Sequence, residues 1–242
     1  MRLPQALPDE SFHSRVCRHI TLCGITTEQY LKDVFGDNRA SVHPYLNANL
    51  GSVCKELNQS AHEVWLNQTL APLFFHFLPK YRQAISDINV SSSGLIRASQ
   101  ISTFREKERL HIKCCLNCAE EEVRKYGVPY WHCLHQITGV DACPRHGVWL
   151  SHIELPERSH IYMPSITPIQ SLDCSSMAVK FADFCGDYLH QIRTHESQPS
   201  NVNRIERLKK KGFITNAGQI RRKQICKALF VLSEQIFGSD PN

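Results

Sequence analysis

The chain has 242 residues, 42% of them hydrophobic, and 28 Lys/Arg against 23 Asp/Glu give a net charge of +5. That length fits one large domain or two small ones, and that apolar fraction excludes general disorder. No apolar run approaches the ~18 residues of a membrane helix. Met1-Arg2-Leu3-Pro4, followed by Asp9 and Glu10, also lacks the apolar stretch of a signal peptide, so a cytoplasmic protein with no membrane partner is expected.

The first hundred residues read as helical. Asp9 is expected to cap a helix that carries Phe12, Val16 and Ile20 on one face and stops at Gly24. Thr26 with Gln29 forms a capping box for a second helix through Tyr30, Leu31, Val34 and Phe35, ended by Gly36. Helix, glycine turn, helix is the outline of a helix-turn-helix, although plain scaffold uses the same outline more often. On that first helix, Arg15 and Arg18 are candidate phosphate contacts. A helix near 46–57 follows, then one opened by Ser60 and Glu63 that ends before Pro72; residues 86–94 read as an exposed loop.

The block at 112–150 is rich in cysteine, and 154–176, with Pro156, Pro164 and Pro168, reads as connector. Met177 to Ile192 is an amphipathic helix whose stripe of Met177, Phe181, Phe184, Cys185, Tyr188, Leu189 and Ile192 is expected to pack in a core. Residues 194–201 are a polar linker. The last unit is a basic helix at 202–211, turns at 211–213 and 216–218, and a helix over about 219–237.

Charge is segregated. Residues 204–227 hold nine Lys/Arg against Glu206 alone, a net +8 that leaves −3 for the rest of the chain. Such a field attracts polyanions, though a charge run by itself is more often a solvated helix face. The candidate nucleic-acid contacts here are Arg204, Lys209, Lys210, Lys211, Arg221, Arg222 and Lys223.

Eleven cysteines without an export signal are expected to be reduced, each by default a small buried hydrophobe. Four positions depart from that default. Cys115-x-x-Cys118 and Cys143-x-x-His146 are two knuckles, each a tight turn that aims two side chains at one point. Together they supply a tetrahedral N/S ligand set, which suits one structural zinc ion. Thiolate softness disfavours magnesium and calcium. With all four positions filled by protein no open coordination site remains, and metal binding of this kind contributes on the order of 10 kcal/mol to folding. Cys114 competes with Cys115 in sequence, but only Cys115 has the spacing to Cys118; His132, Cys133 and His135 lie between the knuckles as possible substitutes. A zinc hydrolase built on His132, His135 and one of Glu120, Glu121 or Glu122 is weighed and disfavoured, because no H-E-x-x-H occurs. No catalytic residue is assigned, and a non-enzymatic protein is expected. Trp131 and Trp149 are expected to pack against the second knuckle.

Cys115-x-x-Cys118, Glu121, Gly127, Tyr130-Trp131-His132, His135-Gln136, Gly139-Val140, Cys143-Pro144-x-His146-Gly147 and Leu150 resemble the signature of the TniQ/TnsD family of bacterial transposon proteins. Leu7 to Ser11 through Gly24 resembles the family's opening segment, and Thr69 to Leu78 its next helical block. Leu208-Lys209-x-x-Gly212-Phe213 with Gly218 to Arg221 is similar to the TnsD branch. Leu116 stands where the family usually has proline, Cys114 where it has an aromatic, and Cys133 where it has arginine; the candidate ligands are unaffected.

The resemblance implies a target-site selector that binds double-stranded DNA, or a DNA-bound guide-RNA effector complex, and recruits the AAA+ regulator TnsC. TnsD-type proteins normally continue with further helical DNA-binding modules. That motivates a second reading, a protein-interaction fragment that touches no DNA. The expected fold is mainly α: a helical N-terminal domain, helix-turn-helix-like, over 1–110; a small zinc-ribbon module over 111–153; a connector and amphipathic helix over 154–200; and a basic helical segment over 201–242.

Overall fold

The computed structural model describes residues 2–38, 40–99, 109–155, 157, 161–164, 171–194 and 201–238. The protein is mainly helical, with two small antiparallel ribbons.

Helix α1 (Phe12–Cys23) and helix α2 (Thr27–Phe35) form as their patterns predict. Thr26 caps α2 by accepting from the Gln29 amide, and Gly24 and Gly36 end the two helices in the left-handed conformation that glycine adopts without strain. The start of α1 differs from expectation. Ser11, not Asp9, is the cap, its side chain accepting from the Ser14 amide. Asp9 sits two residues earlier at a φ of 55° and is used elsewhere. Phe12 and Val16 are wholly buried, which contributes roughly 1.5–3 kcal/mol each.

Helices α3 (Leu50–Glu56), α4 (Ala61–Gln68) and α5 (Ala71–Phe77) follow, with Ser60 capping α4 as read from sequence. After a 3-10 turn at Pro79–Tyr81 come α6 (Arg82–Ser86) and α7 (Ser92–Ser99). The stretch read as loop at 86–94 is therefore loop only as far as Ser91. Leu95 and Ala98 pull α7 into a core with Leu46, Ala71 and Ile85, and that burial outweighs the turn preference of three consecutive serines.

Strand β1 (His111–Cys114) leads into α8 (Leu116–Tyr126), the short helix α9 (Cys133–Gln136), the hairpin β2 (Ala142–Cys143) and β3 (Val148–Trp149), and β4 (Ser151–Glu154). β4 returns to pair with β1, Cys114 opposite Ser151. The other edge of β1 is closed by a side chain. The buried amide of Gln136 accepts from the Lys113 N–H at 3.0 Å and donates to the Lys113 carbonyl at 2.8 Å, imitating a third strand.

One core crosses the boundary expected at 110/111. Phe12, Val16 and Leu31 from the first helices share it with Ile112, Leu116 and Trp131. Trp131 therefore packs on α1 rather than on the second knuckle, and its indole N–H donates to the Tyr162 carbonyl at 2.8 Å. Helix α10 (Ser176–Thr194) crosses the cysteine-rich block through Ala182 and Leu189. Its aromatic stripe is only partly core, because Phe184 is 61% exposed. Helices α11 (Asn201–Lys210) and α12 (Arg222–Phe237) complete the chain, α12 anchored by Ile236 against Trp149 and Ala178. Among the described residues no helix is long and apolar enough to cross a membrane.

Candidate metal centre

The two knuckles are built differently. The first lies where β1 becomes α8: Cys115 occupies the N-cap and Cys118 the first turn, so both sulfurs sit at the positive end of an eleven-residue helix. The second is the β2–β3 turn, closed by the Gly147 amide donating to the Cys143 carbonyl at 2.9 Å, with Gly147 at a φ of +66°. Only the second knuckle is a hairpin. The return of β4 along β1 sets the two turns face to face.

Cys115, Cys118, Cys143 and His146 converge, with one ligand atom from each and all four atoms within 4.8 Å of one another. The Cys118 and Cys143 sulfurs are 3.7 Å apart, and His146 Nδ1 lies 3.5, 3.3 and 3.6 Å from the sulfurs of Cys115, Cys118 and Cys143. A disulfide would need ~2.05 Å. Bonds of ~2.3 Å to sulfur and ~2.0–2.1 Å to nitrogen around a tetrahedral ion give edges of about 3.5–3.8 Å, the separations found. The group fits one metal ion on geometry and on donor chemistry. Cys114, one residue away, is buried but outside the cluster.

Protons are unevenly shared among the sulfurs. Hydrogen bonds from Cys115 and Cys118 hold Cys143 far below the usual thiol range, while contacts to Cys115 and Cys143, together with burial, push Cys118 up. A cation in the centre would release the remaining thiol protons.

Neighbouring residues aim the ligands. Glu121, one turn after Cys118 on α8, places Oε1 3.2 Å from His146 Nε2, which leaves Nδ1 facing the sulfurs. Arg145 pairs with the other Glu121 oxygen at 2.5 Å. His135 is buried, with the Cys143 sulfur near enough to act on its ring electrostatically. Both residues were visible in the sequence as parts of a motif, but their supporting role follows only from the fold.

The hydrolase arrangement is not formed by His132. Its two ring nitrogens face two carboxylates: Nε2 pairs with Glu122 Oε1, and Nδ1 lies 3.7 Å from Asp9. Burial opposes a charge on this ring. Asp9 and Glu122 nevertheless outweigh burial and raise His132 to about 9, which favours the charged ring between the two carboxylates. Cys118, Glu122 and His132 also bring one ligand atom each within 4.8 Å, but Cys118 already belongs to the four-residue cluster. Asp9, Glu122 and His132 form a clasp. Asp9 also accepts from the Leu134 amide at 2.9 Å and from Arg193 at 3.4 Å. It ties the N-terminal segment, the metal module and α10 together.

The candidate DNA contacts divide. Arg15 is buried: its guanidinium donates to the Pro4 carbonyl at 2.7 Å, Gln68 at 2.8 Å and Gln59 at 3.0 Å. Arg18 donates to the buried Glu10 carboxylate at 2.7 Å and to the Gln5 carbonyl at 2.7 Å. Both arginines organise the N-terminal segment, which corrects the expectation that they meet phosphate. Lys209, Lys210, Lys211, Arg221, Arg222 and Lys223 are all exposed. Backbone hydrogen bonds from Phe213 to Leu208 and from Arg221 to Phe213, at 2.9 and 2.8 Å, draw the end of α11 to the start of α12 and gather these six cations. The side chain of Arg204 lies outside the described residues.

The TniQ family profile matches residues 1–150, which include the whole metal cluster. Beyond it, the chain is 24% identical over 210 residues to the Transposon Tn7 transposition protein TnsD of Escherichia coli. That match covers 81% of this chain and 41% of the relative, so the chain spans less than half of that protein's length. With the profile spanning more than half of the chain and enclosing both knuckles, the chain belongs to the TniQ family.

Proposed function

We propose that this protein is a zinc-stabilised targeting adaptor in transposition, one that binds double-stranded DNA and recruits a TnsC-like AAA+ ATPase in the bacterial cytoplasm. Membership of the TniQ family and similarity to a transposition protein support the pathway. Zinc is the metal favoured by three sulfurs and one imidazole in a closed tetrahedron, and its role there is to hold the two knuckles and the elements packed on them.

The observation that carries DNA binding is the exposed cluster of Lys209, Lys210, Lys211, Arg221, Arg222 and Lys223 around one turn. Six cations with no folded-state partner at hydrogen-bond range among the described residues favour a polyanion. Contacts of this type position a protein on the duplex and do not read sequence.

The second reading, an adaptor that meets only protein, keeps the same fold. Titrating duplex DNA at several salt concentrations, then capturing the TnsC-like ATPase encoded with this protein in the presence and absence of DNA, separates them. Salt-sensitive binding and DNA-enhanced capture support the adaptor on DNA. Capture without any DNA affinity rejects the DNA half, and no capture under either condition rejects the recruiting half.

A further inference from the structure

Helices α5 and α10 leave an apolar groove between them of about 410 Å³. Leu70, Leu73 and Ile137 line its floor, and Phe77, Tyr188 and Phe184 its rim. The three rim rings form a ladder: Phe77 on Tyr188 at 5.6 Å and 27°, then Phe184 on Tyr188 at 5.9 Å and 23°. Its outer members are 55% and 61% exposed. A protein that folds for itself alone does not gain from stacking two phenylalanines in water; contiguous apolar surface of this kind marks a contact site.

The chemistry of the groove selects among occupants. A small ligand needs convergent polar groups to orient it. Here the Tyr188 hydroxyl is bound to His76 Nε2 at 2.8 Å, and the Ser99 hydroxyl donates to the Leu95 carbonyl at 2.7 Å, so both are turned inward. Single-stranded nucleic acid stacks on such ladders only within a basic channel. The flank here is acidic. Asp183 and Asp187 are exposed, spaced one turn apart on α10, each one position before a rim aromatic, and neither forms an ion pair among the described residues. Lys180, one turn earlier, is the lone cation on that length of α10, and the α5 lip, Ala71–Phe77, has no Asp, Glu, Lys or Arg.

We infer that this groove receives an amphipathic helix of a partner protein, with large apolar residues at helical spacing on one side and Lys or Arg along its edge. The apolar anchors enter between α5 and α10, and the basic edge lies against Asp183 and Asp187. This site lies apart from the basic cluster of α11 and α12 and depends on neither DNA binding nor the identity of the metal.

The test is selection of a displayed library of random helical peptides on the full-length protein. Enriched peptides should combine two or three large apolar residues at three- and four-residue spacing with net positive charge. Their affinity should fall ~10-fold or more in Phe77→Ser/Phe184→Ser, whose sites are exposed and leave the fold intact, and in Asp183→Lys/Asp187→Lys. Duplex DNA binding should be the same in the serine variant as in the parent protein. No enrichment, enrichment of acidic peptides, or equal binding to the variants overturns the inference. So does a self-association abolished by Phe184→Ser, which would assign the groove to a second copy. Oligo-dT binding lost in the same variant also overturns it, by assigning the ladder to bases.

Discussion

Glu121 stands on the opposite side of the His146 ring from the three sulfurs, its Oε1 3.2 Å from Nε2 while Nδ1 faces Cys115, Cys118 and Cys143 at 3.5, 3.3 and 3.6 Å. A carboxylate in this position fixes the tautomer and orientation of a ligating ring. Glu121→Ala should therefore weaken zinc retention by roughly 10–100-fold without removing a ligand. Competition with a chromogenic chelator measures it; an unchanged zinc affinity would remove Glu121 from the centre.

The adjacent cysteines at 114 and 115 allow a sharper test of the ligand set. Cys118→Ser should abolish stoichiometric zinc and unfold the module, since Cys118 supplies one of the four converging ligand atoms. Cys114→Ser should keep one zinc per chain, because Cys114 is buried outside the cluster. Elemental analysis of both purified variants decides it. Equal zinc content in the two would mean that the ligand assignment is wrong.

Cations on the two sides of the molecule should behave differently. Lys209, Lys210 and Lys211 changed together to Ala should weaken duplex binding and lower its salt slope by up to about 3. Arg15→Ala should leave that slope alone and instead destabilise the fold by roughly 1–3 kcal/mol, because Gln59, Gln68 and the Pro4 carbonyl lose their shared donor. Binding isotherms at stepped salt, set beside thermal melts, separate the two outcomes.

His13 gives the fold a pH dependence. Burial lowers it to about 4 from 6.5, only partly offset by its hydrogen bond to the Val42 carbonyl at 2.8 Å. The unfolded chain thus binds a proton that the folded chain refuses over that interval. Stability from this residue is intact above pH 6.5 and drains away as pH falls toward 4, by about 3 kcal/mol in full. His13→Asn, which keeps a donor near Nδ1 and does not titrate, should flatten that slope. Urea midpoints at pH 4.5 and 7 (roughly the span over which the charge changes) test this, and identical slopes in the two proteins would exclude His13 as the source.

Local signals were legible where one short interaction decides the outcome. Thr26, Ser60, Gly24 and Gly36 mark their helix ends in sequence and in structure alike, because caps depend on residues within one turn. The four metal-site residues were legible for the same reason, since each knuckle is local and only their meeting requires the fold. Asp9 was misread as a cap because its partners, His132, Leu134 and Arg193, lie more than a hundred residues away. Arg15 was misread because a helical arginine looks solvated until Gln59 and Gln68 fold over it. The stripe on α10 has the period of a buried face, yet period alone does not count neighbours, and Phe184 has too few to be covered.

The clasp at Asp9 also bears on how the chain is made. Asp9 and Arg193 are separated by 184 positions, so the segment around Asp9 completes its contacts only after α10 has been synthesised. Until then the N-terminal segment is held by α1 and by the stretch from Trp131 to Leu134. A nascent chain stalled before residue 193 should be clipped more readily near Glu10 by protease than one extended past α10. Closure of this clasp therefore waits for α10, however early the two knuckles meet.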